Sequence, residues 1–315
     1  VNRIVYLFCS GTALFWGVGL VAAAGLVSGF IRLPLVRALV RMAAGVGMAL
    51  VVLSSTPLPV WVYPVWCGAV AAWLVREATS AAKGSSAVLR GAVVVSCLVL
   101  ALSEGLHYIP PEIPVAPNGV VYVIGDSLSA GTGAGEHVWP EVLDGLVRQE
   151  VVNLAQPGAT TRAAWSQAAK ISTDESTVIL EIGGIDLLEG LPADEFARNL
   201  ERLLGTAGGF GRKLAMFELP RGPFRNAYGR VQRETADQVG AVLIPRPVLA
   251  RAITSEGGTL DGLHLSNAGH RRVAESVANL IQVRADLFPS GQGATPAPVE
   301  ADEDLTTAPG PGSTE

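Results

Sequence analysis

Hydrophobic and polar positions divide the 315-residue chain into three stretches of different texture. Up to about residue 108, long apolar runs are broken by isolated charges. From about 119 to 286, short apolar runs alternate with segments of helix-like periodicity. From about 287, Pro, Gly, Ser, Thr and acidic residues take over.

The first stretch reads as a membrane region. A bilayer core requires about 20 mostly apolar residues in helical form. Ile4 to Ile31 carries no charge, and further apolar runs follow Arg41 to about Ser55, Val60 to Val75, and Gly91 to about Leu102. The second and fourth are short; the second gains length if Arg37 and Arg41 snorkel. The break Ser54-Ser55-Thr56-Pro57-Leu58-Pro59 is turn chemistry, since proline cannot continue a helix. About four spans are expected. The first connection holds Arg32, Arg37 and Arg41, the third holds Arg76, Lys83 and Arg90, and the second holds no charge. Positive connections stay cytoplasmic. The N-terminus and everything after residue 110 are then expected outside the cytoplasm. Trp61, Tyr63 and Trp66, beside the second connection, suit either an interfacial aromatic belt or helix packing. A cleaved signal peptide ending near Ala22-Ala23-Ala24 is the rival reading; its leading region holds only Arg3, and more apolar runs follow.

The second stretch changes period. Ile109-Pro110-Pro111-Glu112-Ile113-Pro114 reads as part of a stiff linker over 109–118. Buried strands are expected at Val120–Ile124, Val151–Asn153, Val178–Ile182, Leu214–Phe217 and Ala241–Ile244. Between them, helical patterns cover roughly 139–149, 162–170, 193–206, 225–239 and 267–284. Alternation of strand and helix predicts an α/β fold: a doubly wound, flavodoxin-like parallel sheet in three layers. The expected organisation is 1–108 transmembrane, 109–118 linker, 119–286 catalytic domain and 287–315 disordered acidic tail.

Charge reinforces the division. Through residue 110 there are seven basic and two acidic residues, so a net −5 for the chain hides a basic first third and an acidic remainder. No basic stripe or aromatic-plus-arginine strand points to nucleic acid. Cys9, Cys67 and Cys97 all fall in the apolar third and read as packing residues. No cluster has metal-ligand spacing and no phosphate-cradling Gly-Lys motif occurs, so no metal or cofactor is expected.

Candidate chemistry gathers where strands end. Gly125-Asp126-Ser127-Leu128-Ser129-Ala130-Gly131 follows the first strand; Ser127 could be a nucleophile on a tight turn or simply a helix cap. Asp261-Gly262-Leu263-His264 precedes the last helix. A serine needs a base, and a carboxylate fixes the histidine tautomer. Asn153-Leu154-Ala155-Gln156-Pro157-Gly158-Ala159-Thr160 follows the second strand, where Gly158 is either an oxyanion donor or an ordinary turn glycine. Gly183-Gly184-Ile185-Asp186 follows the third. His270 reads as structural, His107 as interfacial, and His137 could touch substrate.

In this order the blocks resemble the SGNH hydrolase superfamily of GDSL esterases and lipases, and most of all its bacterial periplasmic thioesterase/lysophospholipase branch. The likeness covers about Val120 to Ile281 and includes Trp139-Pro140 and Leu180-Glu181-Ile182-Gly183-Gly184-Ile185-Asp186. It implies Ser127, Asp261 and His264 as catalytic residues, with the N–H groups of Ser127 and Gly158 as the oxyanion hole. One departure stands out: the family's third block supplies an asparagine donor where this chain has Ile185. Losing one such donor typically costs about 10²–10³ in rate. Asp186 reads as a loop or helix-start cap.

The expected function is a membrane-anchored serine esterase acting on an acyl ester of a lipid or envelope glycan, facing away from the cytoplasm. Its partners would be that ester substrate and, through the spans, membrane lipid. The alternatives are an acyltransferase using the same serine, and a non-catalytic binding module, which Ile185 favours.

Overall fold

The alternating apolar positions of the second stretch become a parallel sheet covered on both faces. The computed structural model describes residues 2–30, 33–79, 83–133, 135–209, 211–284 and 287. Arg32 and almost all of the acidic tail lie outside the described residues. The strands are β1 (Ile113–Val115), β2 (Val120–Gly125), β3 (Glu150–Asn153), β4 (Ser176–Glu181), β5 (Lys213–Phe217), β6 (Val242–Ile244) and β7 (Ile281–Val283). Five form one parallel sheet in the order β3-β2-β4-β5-β6. Successive strand residues point to opposite faces. Tyr122, Ile124, Val178 and Leu180 pack with Phe196, Leu200 and Leu203 of the Ala193–Ala207 helix. Val121, Val123 and Ile179 pack on the other face with Trp139, Leu143, Val273 and Val277. This is the three-layer α/β fold expected.

Two local expectations differ. The stretch read as a linker contains β1, whose Ile113 and Val115 are buried and pair in parallel with β7. Its prolines do not prevent this, because a short outer strand needs few ladder donors. The last helix was expected to reach about 284, but it runs Asn267–Ala278 and gives way to β7. Periodicity alone does not separate a short apolar strand from a helix end.

The first stretch is helical: α1 (Arg3–Cys9), α2 (Ala13–Phe30), α3 (Pro34–Leu53), α4 (Val62–Thr79) and α5 (Lys83–Gly105). Three segments, Ala13–Phe30, Pro34–Leu53 and Ala87–Tyr108, are long and apolar enough to cross a membrane. The third expected run, Val60 to Val75, forms the helix α4 but is not among these three, since Arg76 and Glu77 in its last turns reduce its apolar character. The charge-free run from Ile4 is not one helix: it breaks at Ser10-Gly11-Thr12, with Gly11 at φ 82°. α2 and α3 cross at Gly17 and Gly47, where a Cβ on either would sit 2.6 Å from the other's carbonyl oxygen. Small residues at such a crossing let backbones approach, a common basis of helix association in lipid.

One end of the bundle abuts the α/β domain. α1 lies against the Pro247–Thr254 helix, with Asn2 N donating to Thr254 O at 2.9 Å. Ser55, after α3, donates to Gly222 O, and Arg225 N donates to Ser55 Oγ at 3.2 Å. Arg230 donates to Leu58 O at 3.2 Å. Glu104, near the end of α5, meets Arg233 and Arg246. Residues 218–225 and Arg246 follow β5 and β6. The bundle therefore touches the carboxyl edge of the sheet.

Candidate active site

β2 delivers Ser127 to that same edge. The chain turns from strand directly into the short helix Ser127–Ala130. Asp126 is its cap, accepting from Leu128 N at 2.9 Å. Ser127 is therefore not the cap but the first helical residue, and its N–H has no intrahelical acceptor. Its hydroxyl makes no hydrogen bond among the described residues.

Asp261 and His264 come together in the loop before the last helix. Asp261 Oδ2 lies 2.7 Å from His264 Nδ1, while Oδ1 accepts from the N–H groups of Leu263 at 2.9 Å and His264 at 2.8 Å. Gly262, at φ 92°, lets the loop close this tightly. The His264 N–H, its imidazole and the Leu263 N–H together hold Asp261 well below the usual carboxylate range. An ionised Asp261 makes Nδ1 the protonated nitrogen and leaves Nε2 as an acceptor. No hydrogen bond joins Ser127 Oγ to His264 among the described residues. Such bonds commonly tighten only when substrate is bound. The two segments nevertheless meet in the core, where Leu128, next to Ser127, packs against the cluster that holds Leu265, next to His264.

β3 and β4 flank β2 and bring their loops to the same edge. Gly158 has φ 72°, open space where a Cβ would be, and an N–H with no acceptor among the described residues. Ile185 is half-buried in the Gly184–Glu189 helix and offers no polar atom. Asp186 is not that helix's cap, a position Gly183 holds. Its buried carboxylate instead accepts from Thr161 N at 2.9 Å and Thr161 Oγ1 at 2.7 Å, tying the Gly158 loop to the end of β4.

Beneath Ser127 lies a buried polar layer. Trp139 Nε1 donates to Ser129 Oγ at 3.0 Å, and Ser129 Oγ donates to Glu181 Oε2 at 2.9 Å. Burial, then the neighbouring Asp126, pushes Glu181 well above the ordinary carboxylate range. Burial also raises Asp126, to about 6, against the pull of the Leu128 N–H. Two carboxyls this close in a dry site cannot both ionise, so Glu181 keeps its proton. Gln167 braces the end of β2, accepting from Gly125 N and donating to Gly125 O, each at 3.0 Å.

The histidines separate by role. His270 is buried, its Nδ1 accepts from Trp139 N at 3.2 Å, and burial lowers its pKa, all of which suit a neutral structural imidazole. His137 is exposed, with its N–H donating to Asn267 Oδ1 at 3.0 Å. His107 is exposed at the end of the bundle. Glu181, Asp186 and Gln167 had not been read as site residues. Glu181 and Asp186 stand inside the third block, a usable signal; Gln167 sits in a polar segment with nothing to mark it.

Residues 123–272 match the GDSL-like lipase/acylhydrolase family. Esterase TesA of Pseudomonas aeruginosa is 28% identical over 170 residues, covering 49% of this chain and 84% of that protein. A crystal structure of TesA aligns at 24% identity, covering 51% of this chain and 97% of its own, with a TM-score of 0.45. The esterase EstA from a Pseudoalteromonas species, inhibited by monoethylphosphonate, aligns at 21% identity over 51% of this chain and 96% of its own, also with a TM-score of 0.45.

Proposed function

We propose that this chain, which carries a GDSL/SGNH hydrolase domain over residues 123–272, is a serine esterase held at a membrane by its N-terminal helices. The observation that carries the mechanism is the 2.7 Å pairing of Asp261 with His264 Nδ1. It leaves Nε2 free to take the proton of Ser127, whose hydroxyl is spared from capping by Asp126. Ser127 Oγ attacks the acyl carbon, and the N–H groups of Ser127 and Gly158 receive the oxyanion. His264 passes the proton to the leaving alcohol. A water activated by the same histidine then hydrolyses the acyl-enzyme.

Ile185 bears on how well this works. Two backbone donors without the side-chain donor make a weakened hole. That residue also supports a second reading, a binding module on a hydrolase scaffold. Ser127→Ala in the full-length protein decides between them. Esterase activity toward p-nitrophenyl butyrate, with fluorophosphonate labelling of wild type, is expected to disappear in the variant. Wild type that neither turns over nor labels would leave the binding module.

Charge and contacts support an extracytoplasmic location. Arg37 lies at the start of α3, Arg76 near the end of α4 and Arg90 early in α5, so these charges sit at the bundle end away from the α/β domain. Arginine-rich ends tend to remain cytoplasmic, which favours the hydrolase lying outside. Acyl esters of lipids or of acylated envelope glycans are the substrates such a position offers.

A further inference from the structure

We infer that the carboxyl edge of the sheet rests on the lipid surface itself, with Phe224 and Trp61 as apolar contacts, so that the ester reaches Ser127 from the bilayer. This rests on the reading of Ser127 as nucleophile and of the apolar helices as membrane spans.

The first observation is where strain is stored. Only two non-glycine residues among those described have positive φ: Ser55 at 50° and Phe224 at 65°. They occupy the two loops that touch each other. Ser55 Oγ donates to Gly222 O and accepts from Arg225 N, so its two partners bracket Phe224 in sequence. A bulky residue in the left-handed region is costly and persists only where its surroundings impose it. Here the cost holds a phenyl ring 73% exposed beside the outer ends of the spans. In the opposing loop, Val60 and Trp61 are exposed as well, at 65% and 66%. Solvent-facing aromatics at that height are what a membrane interface favours.

The second observation is distance along the sheet. Phe224 follows β5, which neighbours β4, which neighbours β2. At about 4.8 Å per strand, the end of β2 lies about 10 Å from the end of β5. Ser127 is therefore close to the line where the domain meets the spans. The third observation is the rim of the candidate site. Leu260 and Leu263 flank Asp261 and His264, and Leu188 projects from the helix carrying Ile185; all three are exposed. An isolated exposed leucine means little, but several exposed apolar side chains at the sheet edge that the apolar helices also touch suit a lipid-contacting surface. The occupant these features fit is the outer lipid leaflet, and the substrate class is an ester of a membrane-resident amphiphile.

The test uses full-length protein in phosphatidylcholine vesicles. One assay follows a lysophosphatidylcholine mixed into the same bilayer, the other p-nitrophenyl acetate in the aqueous phase. Phe224→Asn keeps a residue that tolerates positive φ, and Trp61→Gln removes the exposed aromatic of the opposing loop. Together they are expected to lower turnover of the bilayer ester about tenfold or more, while hydrolysis of the soluble ester stays within about twofold of wild type. Equal loss in both assays, or loss in neither, overturns the inference and leaves the esterase reading standing. Soluble-ester activity that survives Ser127→Ala overturns the nucleophile reading and this inference with it.

Discussion

Glu104 and Arg233 form a two-pronged ion pair across 129 residues of sequence, with Nη1–Oε2 at 2.7 Å and Nη2–Oε1 at 2.9 Å. Glu104 closes α5, and Arg233 lies in the Asn226–Val239 helix, so the pair fastens the hydrolase domain to the bundle. Arg246 also reaches Glu104, at 3.2 Å, and Glu218 bonds Arg221 at 2.9 Å and Arg233 at 3.1 Å. Burial alone would raise Glu218, but Arg221, Arg246 and Arg233 outweigh it and hold the carboxyl at about 2. Three guanidiniums share two carboxylates. Glu104→Ala would leave a buried excess of positive charge, and breaking one partner of a buried pair costs roughly 3–5 kcal/mol. The expected result is a lower unfolding midpoint in detergent, with faster hydrogen exchange in the Asn226–Val239 helix. Unchanged exchange there would mean that the pair does not hold the two parts together.

Ile185→Asn restores a side-chain donor at the position where the resemblance calls for one. If only that donor is missing, kcat toward a short chromogenic ester rises about a hundredfold. An unchanged kcat would show that another group already serves the oxyanion.

Asp186 acts on the Gly158 loop through Thr161. Asp186→Ala removes both bonds and is expected to lower kcat by about tenfold or more with little change in KM, because a displaced donor acts chiefly in the transition state. Asp186→Asn keeps an acceptor for Thr161 N and should recover part of the loss. A change confined to KM would argue against this positioning role.

The Asp126–Glu181 pair makes stability depend on pH in a stated direction. Both carboxyls are raised in the folded protein, so the folded state holds protons that the unfolded chain releases above about pH 4. Their contribution is fully present below that value and is lost as pH rises through about 6 for Asp126, and higher for Glu181. Glu181→Gln stays neutral throughout. Its stability relative to wild type, measured by urea unfolding from pH 4 to 8, should therefore improve steadily with pH. A flat difference would mean that Glu181 is not the proton-holding member.

Much of this protein was legible in its residues. The five central strands followed from runs such as Val120–Ile124, because burial on both faces demands unbroken apolar sequence. The apolar helices followed from the length of charge-free sequence a bilayer requires. Asp261 and His264 were adjacent enough in sequence for their pairing to be local. What the chain order could not carry were relationships between distant segments. β1 was hidden in a proline-rich stretch because its stability comes from pairing with β7, far along the chain. Asp186 resembled a cap until folding placed Thr161 above it. Above all, charge patterning marked which ends of the apolar helices carry arginine but not how the α/β domain sits against them. That was decided by Ser55 meeting the loop that carries Phe224 and by Glu104 meeting Arg233. These contacts turn the carboxyl edge of the sheet toward the helical bundle, and they depend on positions that only tertiary packing brings together.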